Sequence, residues 1–323
     1  MRTILLVDAD SKIPNLALAK LYRWHRENGD SVDFVRFGMP YYPNIKKVKK
    51  TIPSGYDLVY CSVIFDGNKE FISGGNEVVF GGTGVDLDTV LPDEVESCRP
   101  DYTIYPDNDC SFGFITRGCI RNCSFCKVRK KEGYIRRVAN IDDIVAHKKV
   151  KFLDNNILAY RGHLDVLREL VEKKIRCQFI QGLDIRLLNT ENSLMLKGIN
   201  YMGEYIFAFD NWSMRDVVER KLRLLEWTGD WKKKFYVYVC PEMPIADTVR
   251  RIMFLKNNRC LPYLMRDVSC WATGLAEFWV DLAAYCNQPS MFKKMSFSSF
   301  LDIREIRPDR RLKSKQIWAE ACA

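Results

Sequence analysis

Apolar and polar positions alternate in blocks along this chain. Ile4 to Val7 is an unbroken apolar run, which reads as a strand buried on both faces. Pro14 then opens an amphipathic stretch with Leu16, Leu18, Leu21 and Trp24, closed by Asn28-Gly29; this predicts a helix with a glycine stop. Ser31 to Phe37 alternates as a strand does, and Tyr56 to Cys61 and Glu77 to Gly81 are two more apolar runs. Strand, helix, strand order predicts a parallel sheet with helices on its faces. Residues 92–110 hold three prolines and several aspartates, the composition of a linker.

From residue 112 the alternation becomes regular. Six strands are expected: Phe112–Thr116, Val150–Asp154, Cys177–Ile180, Tyr205–Asp210, Phe235–Val239 and Pro262–Met265. A helical stretch follows each, beginning near Ile141, Gly162, Glu191, Ser213, Ile245 and Trp271. The fold class is therefore α/β. Residues 1–105 are expected to form a Rossmann-like domain and residues 106–300 a (βα)6 partial TIM barrel, with a basic tail over 301–323 that looks only loosely tied to it. Chemistry in such barrels gathers at the C-terminal strand ends. Those ends read Thr116-Arg117-Gly118, Asp154-Asn155-Asn156, Gln181-Gly182-Leu183-Asp184, Asp210-Asn211, Cys240-Pro241-Glu242 and Arg266-Asp267.

Composition narrows the class. The chain has 323 residues, 47% apolar and 28% charged, with 12 cysteines and a net charge of +9. That excludes a disordered chain, a collagen-like fibre and a small disulfide scaffold. No apolar run approaches the ~20 residues of a membrane span. The N-terminus, MRTILLVDAD, reads as a first strand and not as a signal peptide. A cytoplasmic, reducing location is expected, where twelve cysteines are thiols or metal ligands and not disulfides.

The strongest local signal is Gly118-Cys119-Ile120-Arg121-Asn122-Cys123-Ser124-Phe125-Cys126. Three thiolates in one tight loop favour zinc or iron–sulfur over hard cations. Structural zinc wants four ligands, and none of the three histidines lies near the loop in sequence. Three ligands with a fourth position open suit a [4Fe–4S] cluster whose fourth iron binds something else. The alternatives are a zinc loop completed by a distant cysteine, or three ordinary buried cysteines. The other nine cysteines read as core packing or unassigned thiols.

The pattern Cys119-x-x-x-Cys123-x-Phe125-Cys126, at the end of the first strand of a (βα)6 array, resembles the radical S-adenosylmethionine (radical SAM) superfamily over roughly residues 110–300. The resemblance implies that Cys119, Cys123 and Cys126 hold three irons of a [4Fe–4S] cluster. It also implies that S-adenosylmethionine chelates the fourth iron and is cleaved by one electron to methionine and a 5′-deoxyadenosyl radical. Where members often carry Gly-Gly-Glu after strand two, this chain has Asp154-Asn155-Asn156, placed to accept from the methionine ammonium. Gln181, Asp184 and Arg186 end strand three, where Arg186 would pair with the methionine carboxylate. Asp210 ends strand four, where a carboxylate would bind ribose hydroxyls.

A Rossmann-like domain ahead of such a barrel resembles two subfamilies, one that binds cobalamin and one that transfers methylthio groups. The usual cobalamin loop is Asp-x-His-x-x-Gly. The corresponding loop here, Asp8-Ala9-Asp10-Ser11-Lys12-Ile13, has no His, so cobalamin would have to bind without a protein ligand. Gly81-Gly82-Thr83-Gly84 is either a turn that lets backbone approach a cofactor phosphate or a plain tight turn. Of the three cysteines a methylthiotransferase places in this domain, only the one at Cys61 is matched. His25 reads as a surface or packing residue.

Residues 117–137 carry eight basic side chains against Glu132 alone, so +7 of the +9 is local to the cysteine loop. Such a run is either a solvated face, a site for an anionic substrate such as a nucleotide, nucleic acid or modified peptide, or a dock for an acidic electron donor such as flavodoxin or ferredoxin. Beside the radical reading stand a cobalamin-dependent methylase and a non-catalytic zinc or iron–sulfur protein that binds nucleic acid. No membrane partner is expected.

Overall fold

The computed structural model describes residues 1–40, 45–75 and 78–322. It is a mixed α/β chain with several parallel sheets. Two compact units divide it: Met1–Tyr134 with Val138–Val150, and Ile135–Arg137 with Lys151–Ala323. No helix among the described residues is long and apolar enough to cross a membrane.

In the first unit, β1 (Thr3–Asp8) leads into α1 (Leu16–Glu27), β2 (Ser31–Arg36), β3 (Leu58–Ser62) and β4 (Val78–Gly81). The four strands are parallel in the order β2-β1-β3-β4. Of the expected last strand, Glu77 lies outside the described residues. The apolar run in β1 is unbroken because both sheet faces are covered. Leu5, Val7 and Ala9 meet Met39, Ile52, Val59, Cys61 and Val63 on one side. Ile4 and Leu6 meet Leu18, Leu21 and Val95 on the other. Asn15 caps α1 by accepting from the Leu18 amide at 3.2 Å, and Gly29 ends it with φ +81°.

His25 is fully buried, a packing residue and not a surface one. Its Nδ1 lies 2.8 Å from Asp30 Oδ2 and its Nε2 3.3 Å from the Tyr60 hydroxyl. The expected linker is also packed, which corrects the reading from composition. Its prolines bracket two buried tyrosines. The Tyr105 hydroxyl donates to Asp8 at 3.1 Å, and the Tyr102 hydroxyl donates to the Phe112 carbonyl at 2.9 Å. The strand expected over Phe112–Thr116 is broken into β5 (Cys110–Gly113) and a two-residue piece, Thr116–Arg117. Between them the Ile115 carbonyl leaves the ladder to accept from the Val138 amide at 2.8 Å.

The second unit repeats strand and helix. The chain enters it along β6 (Lys149–Phe152), and β7 (Arg176–Phe179), β8 (Tyr205–Ala208), β9 (Lys233–Val239) and β10 (Leu261–Arg266) follow. The Ile180 amide donates to the Phe152 carbonyl, parallel bridges join Cys177 to Tyr201 and Leu183 to Phe207, and β8-β9-β10 form a parallel ladder. Between and after them come α2 (His163–Glu172), α3 (Thr190–Gly198), α4 (Arg215–Arg223), α5 (Ile245–Asn257) and α6 (Ala276–Cys286). The helix expected from Trp271 starts later, after a 3-10 turn over Val268–Ala272. In β9 burial alternates: Phe235, Val237 and Val239 are fully buried, and Lys234, Tyr236 and Tyr238 half-buried. The outer edge of β10 is blunted. Pro262 has no N–H to offer, and the Asn287 side chain accepts from the Leu264 amide at 2.7 Å and donates to its carbonyl at 3.2 Å.

The basic tail is not loosely tied. It forms α7 (Phe297–Ile303) and α8 (Pro308–Cys322). Two of its cations, Arg304 and Arg310, meet at Asp281, which is 0% exposed. Arg310 Nη2 lies 2.7 Å and Arg304 Nε 3.2 Å from Asp281 Oδ1, and the Ser314 hydroxyl donates to Oδ2 at 2.9 Å. The tail is basic because this carboxylate on α6 needs counter-charges once it is out of water.

Two outcomes follow from these buried acids. Hydrogen bonds from His25 and Arg2 hold the Asp30 carboxyl well below the usual carboxylate range. Its stabilising contribution is therefore complete above the unfolded value of about 3.9 and is lost as pH falls below it. Asp30→Asn is expected to lower the melting temperature at neutral pH, with the gap to wild type closing as the solution is acidified below that value. Asp281→Ala strands two arginines on an apolar core and is expected to cost about 3–5 kcal/mol. Urea unfolding, and trypsin cleavage confined at first to residues 301–322, measure it.

Candidate functional site

The cysteine segment belongs to the first unit. Gly118 has φ +90°, and a Cβ there would lie 2.4 Å from the Tyr134 carbonyl oxygen. Only glycine lets the chain pass so close. The Cys119 amide donates to the Gly133 carbonyl at 3.2 Å, and Arg129 Nη1 donates to the Cys119 carbonyl at 3.3 Å while its guanidinium stacks on Tyr134. The Cys119 sulfur accepts from the Arg121 amide at 3.3 Å. The Cys126 amide donates to the Cys123 carbonyl at 3.0 Å, so these two cysteines share one tight turn. Cys119 and Cys123 are half-buried and Cys126 is exposed.

The donor set fits an iron–sulfur group bound through three thiolates. Three thiols lie within eight residues, and no disulfide uses any of them. The histidines are engaged elsewhere: His25 with Asp30, His147 with Ser111 at 3.2 Å, and His163 with the Tyr160 carbonyl at 2.8 Å. As placed, the thiols are not drawn together: among the described residues no three His, Cys, Asp or Glu side chains are gathered to hold a metal ion. The fit lies in the donors and in the backbone that carries them.

The charge about the loop is smaller than the sequence count. Arg117 lies between Glu96 and Glu132, at 3.1 and 3.2 Å, and Lys127 pairs with Asp66 at 3.0 Å. Two of those three acids come from far away in sequence. Ile120 and Phe125, 44% and 41% exposed, leave an apolar rim beside Cys126.

The strand-end residues belong to the second unit. Asp154 and Asn156 are buried after β6, and Asn155 is half-buried between them. Asp184 caps the turn Ile185–Leu187 by accepting from the Arg186 amide at 3.2 Å. It also takes a bidentate pair from Arg186, Nε at 2.6 Å and Nη2 at 3.1 Å. Asn156 Nδ2 reaches Asp184 Oδ2 at 3.5 Å. Burial pushes the Asp210 carboxyl above its ordinary value, opposed by the charges of Arg186 and Arg251. The structure thus brings Asn156, Asp184, Arg186 and Asp210 together. Gln181 is exposed, just ahead of Gly182 at φ +98°.

Arg251 is the residue that the sequence pattern missed. Asp247 and Arg251, four apart on a helix, look like a solvated pair. Yet Arg251 is 0% exposed and sits on the buried face with Thr248, Ile252 and Leu255. Its Nη1 donates to the Phe209 carbonyl at 2.7 Å and to the Tyr238 carbonyl at 3.1 Å. Its Nε lies 2.7 Å from Asp247 Oδ1, an ion-pair distance. Position on the apolar stripe of α5 was the available signal. The result is two ion pairs, Asp184–Arg186 and Asp247–Arg251, whose arginine charges both act on Asp210.

The remaining cysteines are mostly core. Cys61, Cys110, Cys177, Cys260, Cys270 and Cys286 are buried, and burial pushes the thiols of Cys177 and Cys260 up to about 12, which keeps them protonated and inert.

Gly118→Ala forces a side chain into the Tyr134 backbone. It is expected to open the loop, cost at least about 1–2 kcal/mol from the left-handed conformation alone, and expose Arg129, Lys130 and Lys131 to faster trypsin cleavage. Unchanged cleavage would show that the glycine does not hold the loop. Compared with family models, curated proteins and solved structures, the chain matches none.

Proposed function

We propose that the chain is a radical SAM enzyme, with Cys119, Cys123 and Cys126 holding a [4Fe–4S] cluster. The observation that carries this reading is the cysteine loop itself: three thiols on a backbone pinned at Gly118 and Cys119, with no histidine near it in sequence. Bound there with S-adenosylmethionine, such a cluster supplies one-electron cleavage of the sulfonium and so a carbon-centred radical. The parallel order β2-β1-β3-β4 supports a Rossmann-like first domain. The run β6 to β10, parallel and in chain order with isolated bridges between β7 and β8, supports the barrel-like part of that reading from residue 149 onward.

In this reading the strand ends hold S-adenosylmethionine. Asp154, Asn155 and Asn156 accept from the methionine ammonium. Arg186, oriented by its bidentate pair with Asp184, presents its guanidinium to the methionine carboxylate. Asp210, whose carboxyl keeps its proton to higher pH than usual, meets the ribose hydroxyls, and Gln181 lies at the exposed margin. The rim of Ile120, Phe125 and Cys126, ringed by cations, suits docking of an acidic one-electron donor such as flavodoxin or ferredoxin. The same cations suit an anionic substrate such as a nucleotide, nucleic acid or modified peptide. The zinc reading needs a fourth ligand, and none of the three histidines lies near the loop in sequence.

Anaerobic reconstitution with iron and sulfide tests the proposal. The expected product is a brown, oxygen-sensitive protein with about four irons per chain, lost in Cys119→Ala. With dithionite and S-adenosylmethionine it is expected to release 5′-deoxyadenosine and methionine. A colourless, air-stable protein that binds zinc, or a fully loaded protein that yields no deoxyadenosine, overturns it.

A further inference from the structure

The first unit has a topological switch point. The chain leaves β1 toward β2 on one side and returns to place β3 on the other. Open α/β sheets bind ligands in the crevice beyond the carboxyl ends of two such strands. Here that crevice receives Ala9-Asp10-Ser11 after β1 and Val63-Ile64-Phe65 after β3.

The protein fills the crevice itself. Asp10 is 1% exposed. Its Oδ1 accepts from the Ile64 amide at 2.8 Å, and its Oδ2 accepts from the Phe65 amide at 3.1 Å and from Asn68 Nδ2 at 2.7 Å. Two successive backbone N–H groups and a side-chain amide form the array that ordinarily cradles a phosphate or carboxylate. No basic side chain pairs with Asp10 among the described residues; the N–H array alone balances its charge. Asn68 is fully buried, and its Oδ1 has no hydrogen-bond partner among the described residues, so its amide is spent on Asp10. Alongside, Asp8 accepts from the Ser11 amide at 2.9 Å, and Asn15 Nδ2 donates to the Ser11 and Ser62 hydroxyls at 3.0 and 2.7 Å.

The glycine turn seals the other wall. A Cβ at Gly82 would lie 2.3 Å from the Val63 carbonyl oxygen, and one at Gly84 2.6 Å from that of Phe65. The Gly84 amide donates to the Val63 carbonyl at 3.0 Å, and the Thr83 hydroxyl to the Ile64 carbonyl at 2.8 Å. These glycines admit the neighbouring strand connection, whose backbone lies where their side chains would be. Of the two readings of Gly81-Gly82-Thr83-Gly84, the tight turn is the one observed.

We propose that Asp10 is a built-in ligand: its carboxylate occupies the anion position of the switch-point crevice and closes this unit to cobalamin, nucleotides and other phosphate-bearing cofactors. The inference stands apart from the radical reading, since it uses only the first unit. The test is thermal unfolding of the full chain, wild type and Asp10→Gly, in formate or inorganic phosphate against chloride of equal ionic strength, with ATP and hydroxocobalamin added to wild type. Asp10→Gly is expected to melt several degrees lower and to recover saturably in formate or phosphate, which supply the missing anion. Wild type is expected to gain nothing from any of the four and to retain no cobalamin on gel filtration. Cobalamin retention or a saturable shift in wild type overturns the proposal, as does a folded Asp10→Gly that no anion rescues. If Asp10→Gly does not fold, the wild-type arms decide alone.

Discussion

A carboxylate taken out of water must be met by donors, and this chain is organised around meeting that demand. Asp10 is met by backbone N–H groups, Asp30 by His25 and Arg2, Asp184 by Arg186, and Asp281 by Arg304, Arg310 and Ser314. Each carboxylate sits at a strand end, a turn or a helix face that apolar packing alone would leave unspecified. Apolar burial drives collapse without fixing direction, whereas a buried acid accepts only a geometry that brings its particular donors within about 3 Å. The helical tail shows the consequence: the charge that made it look like a free basic arm is what anchors it.

How much could be read in advance depends on how far apart the partners lie in sequence. The strands were legible because parallel strands covered on both faces are written as apolar runs, as in Ile4 to Val7. The end of α1 was legible because Asn28-Gly29 is a local signal. What escaped was long-range. Nothing near Asp10 announces that its donors are Ile64 and Phe65, and nothing near Tyr105 announces Asp8. Pro92, Pro100 and Pro106 correctly marked irregular backbone, but irregular backbone was mistaken for unpacked backbone. Arg251 escaped because ion-pair spacing was read before its place on the apolar stripe.

The cysteine loop divides along the same line. Its three thiols and its glycine are local and plain in the sequence. The function of Gly118 is not, because it answers to the Tyr134 backbone that returns against it. The charge was likewise overcounted, since Glu96 and Asp66 come from outside the window that holds the cations. Among the side chains the fold leaves exposed in this loop are two apolar ones, Ile120 and Phe125, with Cys126.

The two sets of strand ends now contrast in chemical terms. In the first unit the carboxyl ends of β1 and β3 are saturated, with acid, amide and hydroxyl groups turned on one another and the glycine turn closed over them. Such a network rigidifies and has little left to offer a ligand. In the second unit burial pushes the Asp210 carboxyl above its ordinary value, opposed by the charges of Arg186 and Arg251, each of which is paired with an aspartate of its own. The ligand chemistry proposed for the chain is accordingly assigned to the strand ends of the second unit and to the cysteine loop. The first unit contributes a sheet whose own site has been converted into structure.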